Sequence, residues 1–156
     1  MKNLPLDAAC HIFGSTMQLI QLVYVSAYLN EYGQDLPKLL ENTALANDDG
    51  GVLGMTLFSN GNIMQLLEGR SHDVEAIFQK LQRNGYQWRF HEMFRSHIDY
   101  LSLLESSIGF GTHSCKLFPK SDSNIVLFRL DSGEVDRRLK NSPAKALLMQ
   151  FAADHR

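Results

Sequence analysis

The chain of 156 residues has little of what several protein classes depend on. It has only two cysteines, Cys10 and Cys115, whereas small secreted domains need a framework of several, so a reduced cytoplasmic setting is expected. The formal net charge of −2 gives no basic surface for nucleic acid or an anionic membrane. No apolar run approaches the roughly 18 residues of a membrane-spanning helix. We therefore expect no nucleic acid and no membrane among its partners.

What is present is ordinary for a folded protein. Apolar residues make up 44% and charged residues 21% of the chain, and this length predicts one domain with a sizeable core. Residues 1–16 contain Pro5 and Gly14 and lack the apolar centre of a signal peptide, so they are expected to form a loose extension, with Met17 as a candidate natural start. Residues 112–124 resemble a linker in composition.

The stretch Ser59–Gly69 contains the two features on which the prediction of fold and site depends, a turn and a single amide. Asn60-Gly61 predicts a two-residue hairpin turn between the apolar runs Val52–Phe58 and Ile63–Leu67, because both turn positions tolerate positive φ. A single amide, Gln65, lies within the second run. A buried amide costs free energy unless its polar atoms find partners. Gln65 therefore needs either a structural partner or a ligand.

The elements around the hairpin follow the order β-α-β-β-α-β. They are a strand over Met17–Ser26, a helix beginning at Asp35, the two hairpin strands, a helix over Ser71–Gly85 and a strand over Trp88–Ser96 near a sheet edge. In the last strand Trp88, Phe90 and Phe94 alternate with Arg89, His91, Met93 and Arg95, so we expect Phe90 and Phe94 on one face. This order predicts an α+β, ferredoxin-like fold with two helices on one face of a four-stranded sheet.

The first strand is apolar on both faces, so the second face of the sheet needs a cover. The remaining chain offers a short fifth strand over Ser107–Gly111, an apolar stretch at Ile125–Leu130 and a helix from Ser142 with Pro143 at its first position. The run Arg137–Lys140 is interpreted as a solvated basic patch. We expect residues 112–156 to form a C-terminal helical cap.

Strand alternation places Tyr24 and Gln65 in the same space beneath the helices if the first and third strands are neighbours. A phenol beside an amide is a hydrogen-bonding pair. Two interpretations stay open here. Either Tyr24 is a core tyrosine and Gln65 bonds the backbone, or the two side chains share a ligand site.

These residues resemble a known family. Val23-Tyr24-Val25-Ser26, Asn47, Gly54 and Met64-Gln65-Leu66-Leu67-Glu68-Gly69 resemble the BLUF domain, a flavin-binding sensor of blue light, over residues 17–111. The family's Tyr, Asn and Gln fall on Tyr24, Asn47 and Gln65. The C-terminal part resembles the helical tail of the short, single-domain members.

The resemblance implies a photoreceptor rather than an enzyme. It implies FAD as cofactor, with FMN or riboflavin as alternatives, bound through Tyr24, Asn47, Gln65 and Lys80. It assigns the photochemistry to Tyr24 and Gln65. Tyr24 donates an electron, a proton moves through Gln65, and the rearranged amide leaves a red-shifted signalling state. Without a catalytic domain, the output goes to a downstream effector protein or to a homo-oligomer.

The chain departs from the family pattern at several positions. Leu53 stands where the family usually has Thr, Lys80 where it commonly has Arg, and Ser106 and Ile108 where many members have Trp and Met. A degenerate, flavin-free BLUF-like protein-interaction module is therefore kept as the alternative function. A ferredoxin-like enzyme of the acylphosphatase type would require an Arg after the first strand, where the chain has Ala27-Tyr28-Leu29-Asn30. No metal-ligand spacing is recognised.

Overall fold

The structure is a computed structural model that describes residues 18–28, 51–83, 87–111 and 126–155. The predicted helix beginning at Asp35, the candidate site residue Asn47 and the linker-like residues 112–124 lie outside the described residues.

Six strands and three helices make up the described part of the chain. They are β1 (Leu19–Tyr28), β2 (Leu53–Ser59), β3 (Asn62–Arg70), α1 (Ser71–Arg83), β4 (Gln87–His97), β5 (Ser107–Phe110), β6 (Val126–Arg129), α2 (Ser132–Arg138) and α3 (Lys145–His155). None of these three helices is long and apolar enough to span a membrane.

The strands form one sheet in the order β4-β1-β3-β2-β5-β6. The pairs β4–β1, β1–β3 and β3–β2 are antiparallel, whereas β5 pairs with β2, and β6 with β5, in parallel. The order β4-β1-β3-β2 is that of the ferredoxin-like arrangement, so the predicted α+β fold is confirmed. The predicted fifth strand is present as β5, and the apolar stretch after residue 124 supplies β6.

The hairpin between β2 and β3 turns at the predicted residues. Asn60 has φ 50° and Gly61 has φ 82°, the positive values that a type I′ turn requires at both central positions. Ser59 consequently pairs with Asn62, and Thr56 lies opposite Gln65. The turn thus fixes Thr56 as the β2 residue that lies opposite Gln65.

The sheet has two buried faces, which explains why β1 is apolar on both sides. The front face carries Leu22, Tyr24 and Leu67 and packs against α1. The back face carries residues such as Val23 and Leu66 and packs against the C-terminal helices. The buried residues on those helices are Val135, Leu148, Phe151 and Ala152. The expectation that the C-terminal part covers the second face is confirmed.

The predicted alternation along β4 is wrong in one respect. Phe90 and Phe94 were expected on one face, but Phe90 packs into the front core and Phe94 against the back core. The pairing register with β1 shifts between Val23 and Tyr24, where successive partners in β4 are Phe94 and Glu92. An extra residue in a bulge reverses the face on which later side chains point.

The C-terminal cap also differs in detail from its prediction. The last helix begins at Lys145 rather than Ser142, because residues 142–144 form a turn closed by the Lys145 N–H on the Ser142 carbonyl at 3.1 Å. The interpretation of Arg137–Lys140 as a solvated basic patch holds only in part. Arg137 and Lys140 are exposed, but Leu139 is buried, and the Arg138 guanidinium lies 4.6 Å from the centre of the Phe128 ring.

Candidate functional site

Tyr24 and Gln65 meet on the front face of the sheet. They are directly paired residues of β1 and β3, and both side chains are fully buried. The Tyr24 hydroxyl donates a hydrogen bond to Gln65 Oε1. The structure therefore brings together the two residues that strand alternation placed in one space.

The Gln65 amide is only half satisfied. Its Nε2 is buried and has no hydrogen-bond partner among the described residues, and the same holds for Thr56 Oγ1. Thr56 lies directly opposite Gln65 in the β2–β3 pairing, so the two atoms belong to neighbouring side chains of one face. Buried polar groups left unpaired cost about 1–3 kcal/mol each. Two of them side by side indicate a place where a bound group supplies the missing partners.

Two phenylalanines enclose the Tyr24 ring. The ring of Phe78 from α1 lies 4.9 Å from that of Tyr24, and the ring of Phe90 from β4 lies 5.3 Å from it. Tilted aromatic pairs at these distances are favourable, and they leave the phenol little freedom to reorient. Only the hydroxyl end of Tyr24 is then available for polar chemistry.

Gly69 allows α1 to lie close to the sheet. A Cβ at this position would come 3.2 Å from Val52 Cγ2 and 3.5 Å from Val74 Cγ2, the first of which is tighter than ordinary contact. Gly69 ends the Leu67-Glu68-Gly69 stretch just before α1 begins at Ser71. The glycine thus lets Val74 in the first turn of α1 pack onto the strands that carry the site.

The structure describes three of the four site residues proposed from the sequence. Tyr24 and Gln65 are in contact, Lys80 is exposed near the C-terminal end of α1, and Asn47 lies outside the described residues. Sequence reasoning missed Thr56 as a site residue. The hairpin turn could have found it, because Asn60-Gly61 fixes the pairing of Thr56 with Gln65.

Comparison with known families identifies the family of the chain. The model of the BLUF family, described as sensors of blue light using FAD, matches residues 19–101, which is more than half of the chain. The chain belongs to the BLUF family. A BLUF domain is a flavin-binding blue-light sensor rather than a catalyst, and the resemblance that the sequence motifs indicated is confirmed. The matched range contains β1 to β4, and with them Tyr24, Thr56, Gln65 and the phenylalanines around the phenol.

Solved structures of BLUF proteins share the fold. The BLUF domain of BlrP1 is 20% identical with a TM-score of 0.62, and the match covers 88% of this chain and 91% of that one. Klebsiella pneumoniae BlrP1 with FMN and cyclic diGMP is 20% identical with a TM-score of 0.64, over 87% of this chain and 35% of that one. A bacterial light-regulated adenylyl cyclase is 16% identical with a TM-score of 0.52, over 87% of this chain and 34% of that one.

The chain thus spans about a third of the length of the longer BLUF proteins that it matches. Among curated proteins, no sequence matches it. At these identities the solved structures establish the shared fold of the sheet and its helices.

Proposed function

We propose that this BLUF protein is a blue-light photoreceptor in which Tyr24 and Gln65 carry the photochemistry. The observation that supports this most directly is the buried hydrogen bond from the Tyr24 hydroxyl to Gln65 Oε1, beside a Gln65 Nε2 that has no partner in the described part of the chain. The Gln65 amide is bonded to Tyr24 through its oxygen, whereas its nitrogen, the open end of the site, has no partner among the described residues. A group bound at this open end is therefore linked to the phenol through a single amide.

The residues present fit a flavin at that open end. Gln65 Nε2 is a donor, and Thr56 Oγ1 can donate or accept. The isoalloxazine ring presents carbonyl oxygens and ring nitrogens along its edge, which match these atoms. We propose FAD as the cofactor, with Asn47 as a further contact to the ring. Lys80 is an exposed cation on α1 that can meet a phosphate of the dinucleotide. FMN is bound in the BlrP1 structure, and FMN or riboflavin are the alternatives here.

When bound, the flavin absorbs blue light and in its excited state is a strong one-electron oxidant. Tyr24 would be the one-electron donor to the bound flavin, and its phenolic proton would move along the existing hydrogen bond to Gln65 Oε1. Return of the electron and the proton would restore the Tyr24 phenol, so no electron or proton would be gained or lost overall. The Gln65 amide is left rotated or tautomerised, with changed hydrogen bonds on both sides. This altered amide is the proposed origin of a red-shifted signalling state.

The output is proposed to pass to another protein. We propose residues 17–111 as the sensor and residues 112–156 as a C-terminal cap whose helices α2 and α3 cover the back face. The relatives include a light-regulated adenylyl cyclase and a protein bound to cyclic diGMP, which supports a role upstream of an effector. A downstream effector protein or a change in homo-oligomerisation would then receive the signal.

Absorption spectroscopy of the purified protein, in the dark and directly after blue light, tests the proposal. We expect a flavin band that shifts red and then recovers, and mass analysis of the released chromophore identifies FAD, FMN or riboflavin. A flavin band without a shift would remove the photochemical role of Tyr24 and Gln65. No flavin band, even after flavin is added, would overturn the proposal in favour of the flavin-free interaction module.

A further inference from the structure

Glu68 is a fully buried acidic residue on the back face of the sheet. It lies in β3 among the apolar residues of that face and is paired directly with Gln21 of β1. A carboxylate is rarely buried unless hydrogen bonds or charges compensate the loss of water. Apolar packing alone therefore does not explain why Glu68 is buried in the core.

Four donors surround the Glu68 carboxylate. Oε1 accepts the backbone N–H groups of Ser102 and Leu103, each at 2.9 Å. Oε2 accepts Gln21 Nε2 at 2.6 Å and the Ser102 hydroxyl. Gln21 Nε2 also donates to Ser102 Oγ at 2.9 Å, which closes the cluster. All the donors are neutral groups, and two of them belong to the backbone that connects β4 to β5.

The same connecting residues are attached to the C-terminal cap. The carbonyl of Ser102 accepts the backbone N–H of Lys140 at 2.9 Å, and Leu103 forms an antiparallel bridge with Leu139. Leu139 and Lys140 follow α2 directly. Ser102 and Leu103 are thus held by Glu68 on one side and by the end of α2 on the other.

The cluster and the candidate flavin site share one pair of strands. Tyr24 pairs with Gln65 on the front face, and three residues along the same ladder Gln21 pairs with Glu68 on the back face. Three strand residues span about 10 Å. A change in twist or register of the β1–β3 pair at Gln65 therefore reaches Glu68 through rigid, hydrogen-bonded backbone.

We propose that Glu68 is a positioning residue that couples the Tyr24–Gln65 pair to the C-terminal cap. Its carboxylate holds Ser102 and Leu103 on the sheet in the dark, and the rearrangement of Gln65 alters that hold and so the attachment of α2. This coupling rests on the proposed function. Replacing a buried charged cluster with apolar residues is often neutral or stabilising, so stability alone does not account for it.

Residue-resolved amide hydrogen exchange, in the dark and under blue light, tests this on the full chain. In the wild type we expect the Ser102 and Leu103 amides to be protected in the dark and to change their exchange rate at least about fivefold in the light, the lower end of typical allosteric coupling. In Glu68→Ala, dark exchange at both amides should be faster by about tenfold or more, because each loses a charged acceptor. The light response there should be lost while the flavin band still shifts.

Two variants separate coupling from general damage. Glu68→Gln should retain the protection and the light response, because its amide oxygen can accept both N–H groups. Its NH₂ replaces the oxygen that accepts from Gln21 Nε2, so the Gln21 amide must turn over and present Oε1, which has no partner among the described residues, as the acceptor. Gln21→Ala should also retain both, since it leaves the bonds from Ser102 and Leu103 intact.

The outcomes distinguish this proposal from the function on which it rests. A red shift with identical dark and light exchange at Ser102 and Leu103 would overturn the coupling alone. So would a light response that persists in Glu68→Ala. A protein without any red shift would overturn the proposed function and the coupling with it.

Discussion

The Tyr24 hydroxyl holds the Gln65 amide by its oxygen, across the β1–β3 pair. A hydroxyl both donates and accepts, so the same phenol could also accept from Nε2 if the amide turned over. The Gln65 amide therefore has two orientations that can each form a hydrogen bond with the Tyr24 hydroxyl. They differ in whether the amide nitrogen or the amide oxygen faces the open end of the site. This gives a physical basis for two states of the site that begin with a change in one side chain.

Tyr24→Phe should retain flavin and lose the red-shifted state. The phenyl ring still packs between Phe78 and Phe90, so the pocket keeps its shape, but the electron and proton donor is gone. We expect a stability loss of about 1–3 kcal/mol, because Gln65 Oε1 is left without its donor. Light-minus-dark absorption and denaturant unfolding measure the two effects. A normal red shift in this variant would remove Tyr24 from the mechanism.

Gln65→Leu should likewise abolish the red shift, for a different reason. The side chain has similar volume but no amide to link the phenol with the bound flavin. Because the unpaired Nε2 is removed together with the acceptor, the apoprotein should fold at least as well as Tyr24→Phe does. The same absorption measurement checks it, with circular dichroism as the control for folding. An unchanged photocycle would show that Gln65 does not carry the rearrangement.

Thr56→Val tests whether the hydroxyl opposite Gln65 belongs to the flavin site. The change keeps the shape of the side chain and removes Oγ1, which has no partner among the described residues. The apoprotein should be unchanged or more stable, whereas flavin affinity should fall about two- to tenfold, as expected for one neutral hydrogen bond. Titration of the apoprotein with flavin, followed by fluorescence, measures this. A less stable apoprotein with unaltered affinity would contradict the assignment.

Patterns among residues close in sequence predicted the β2–β3 hairpin and the front face of the sheet well. Asn60-Gly61 fixed the hairpin because its turn chemistry leaves one register, and the doubly apolar β1 predicted a cover for both faces. The pairing of Tyr24 with Gln65 followed from alternation once β1 and β3 were neighbours. These features depend on residues close in sequence or on one strand pair.

What was missed depends on distant partners. The register shift in β4 arises from pairing with β1 and is not visible in the alternation of the sequence, so Phe90 and Phe94 were predicted on one face. Helix α2 has a single buried residue, Val135, too few for a helical stripe. Burial of Glu68 depends on Ser102, which lies 34 positions further along the chain. No pattern in the residues near Glu68 indicates a partner so far along the chain.

Gly109→Ala should loosen the outer edge of the sheet. A Cβ at Gly109 would lie 2.6 Å from the ring of Phe128 and 3.1 Å from Leu57 Cδ2, so the buried Phe128 ring of β6 would have to shift. Overpacking of this kind costs about 1–3 kcal/mol. Ser107→Ala on the same strand is the matched control, because Ser107 Oγ is buried without a partner in the described residues and its loss should cost little. Urea unfolding of both variants checks the difference, and equal stabilities would contradict the close contact.

Acid should weaken α2 through Glu134. Partial burial acts to raise the pKa of this carboxyl, but hydrogen bonds from Arg138 and Arg137 and their positive charges outweigh it, so the pKa is lowered below the ordinary value of 4.5. A group whose pKa is lowered on folding stabilises the folded state above its unfolded value, and this contribution is lost as the pH falls through the folded value. The thermal midpoint of the wild type should therefore exceed that of Glu134→Gln at neutral pH, and the gap should close as the pH drops below 4.5. A gap that persists in acid would mean that the Arg137 and Arg138 contacts stabilise α2 independently of charge.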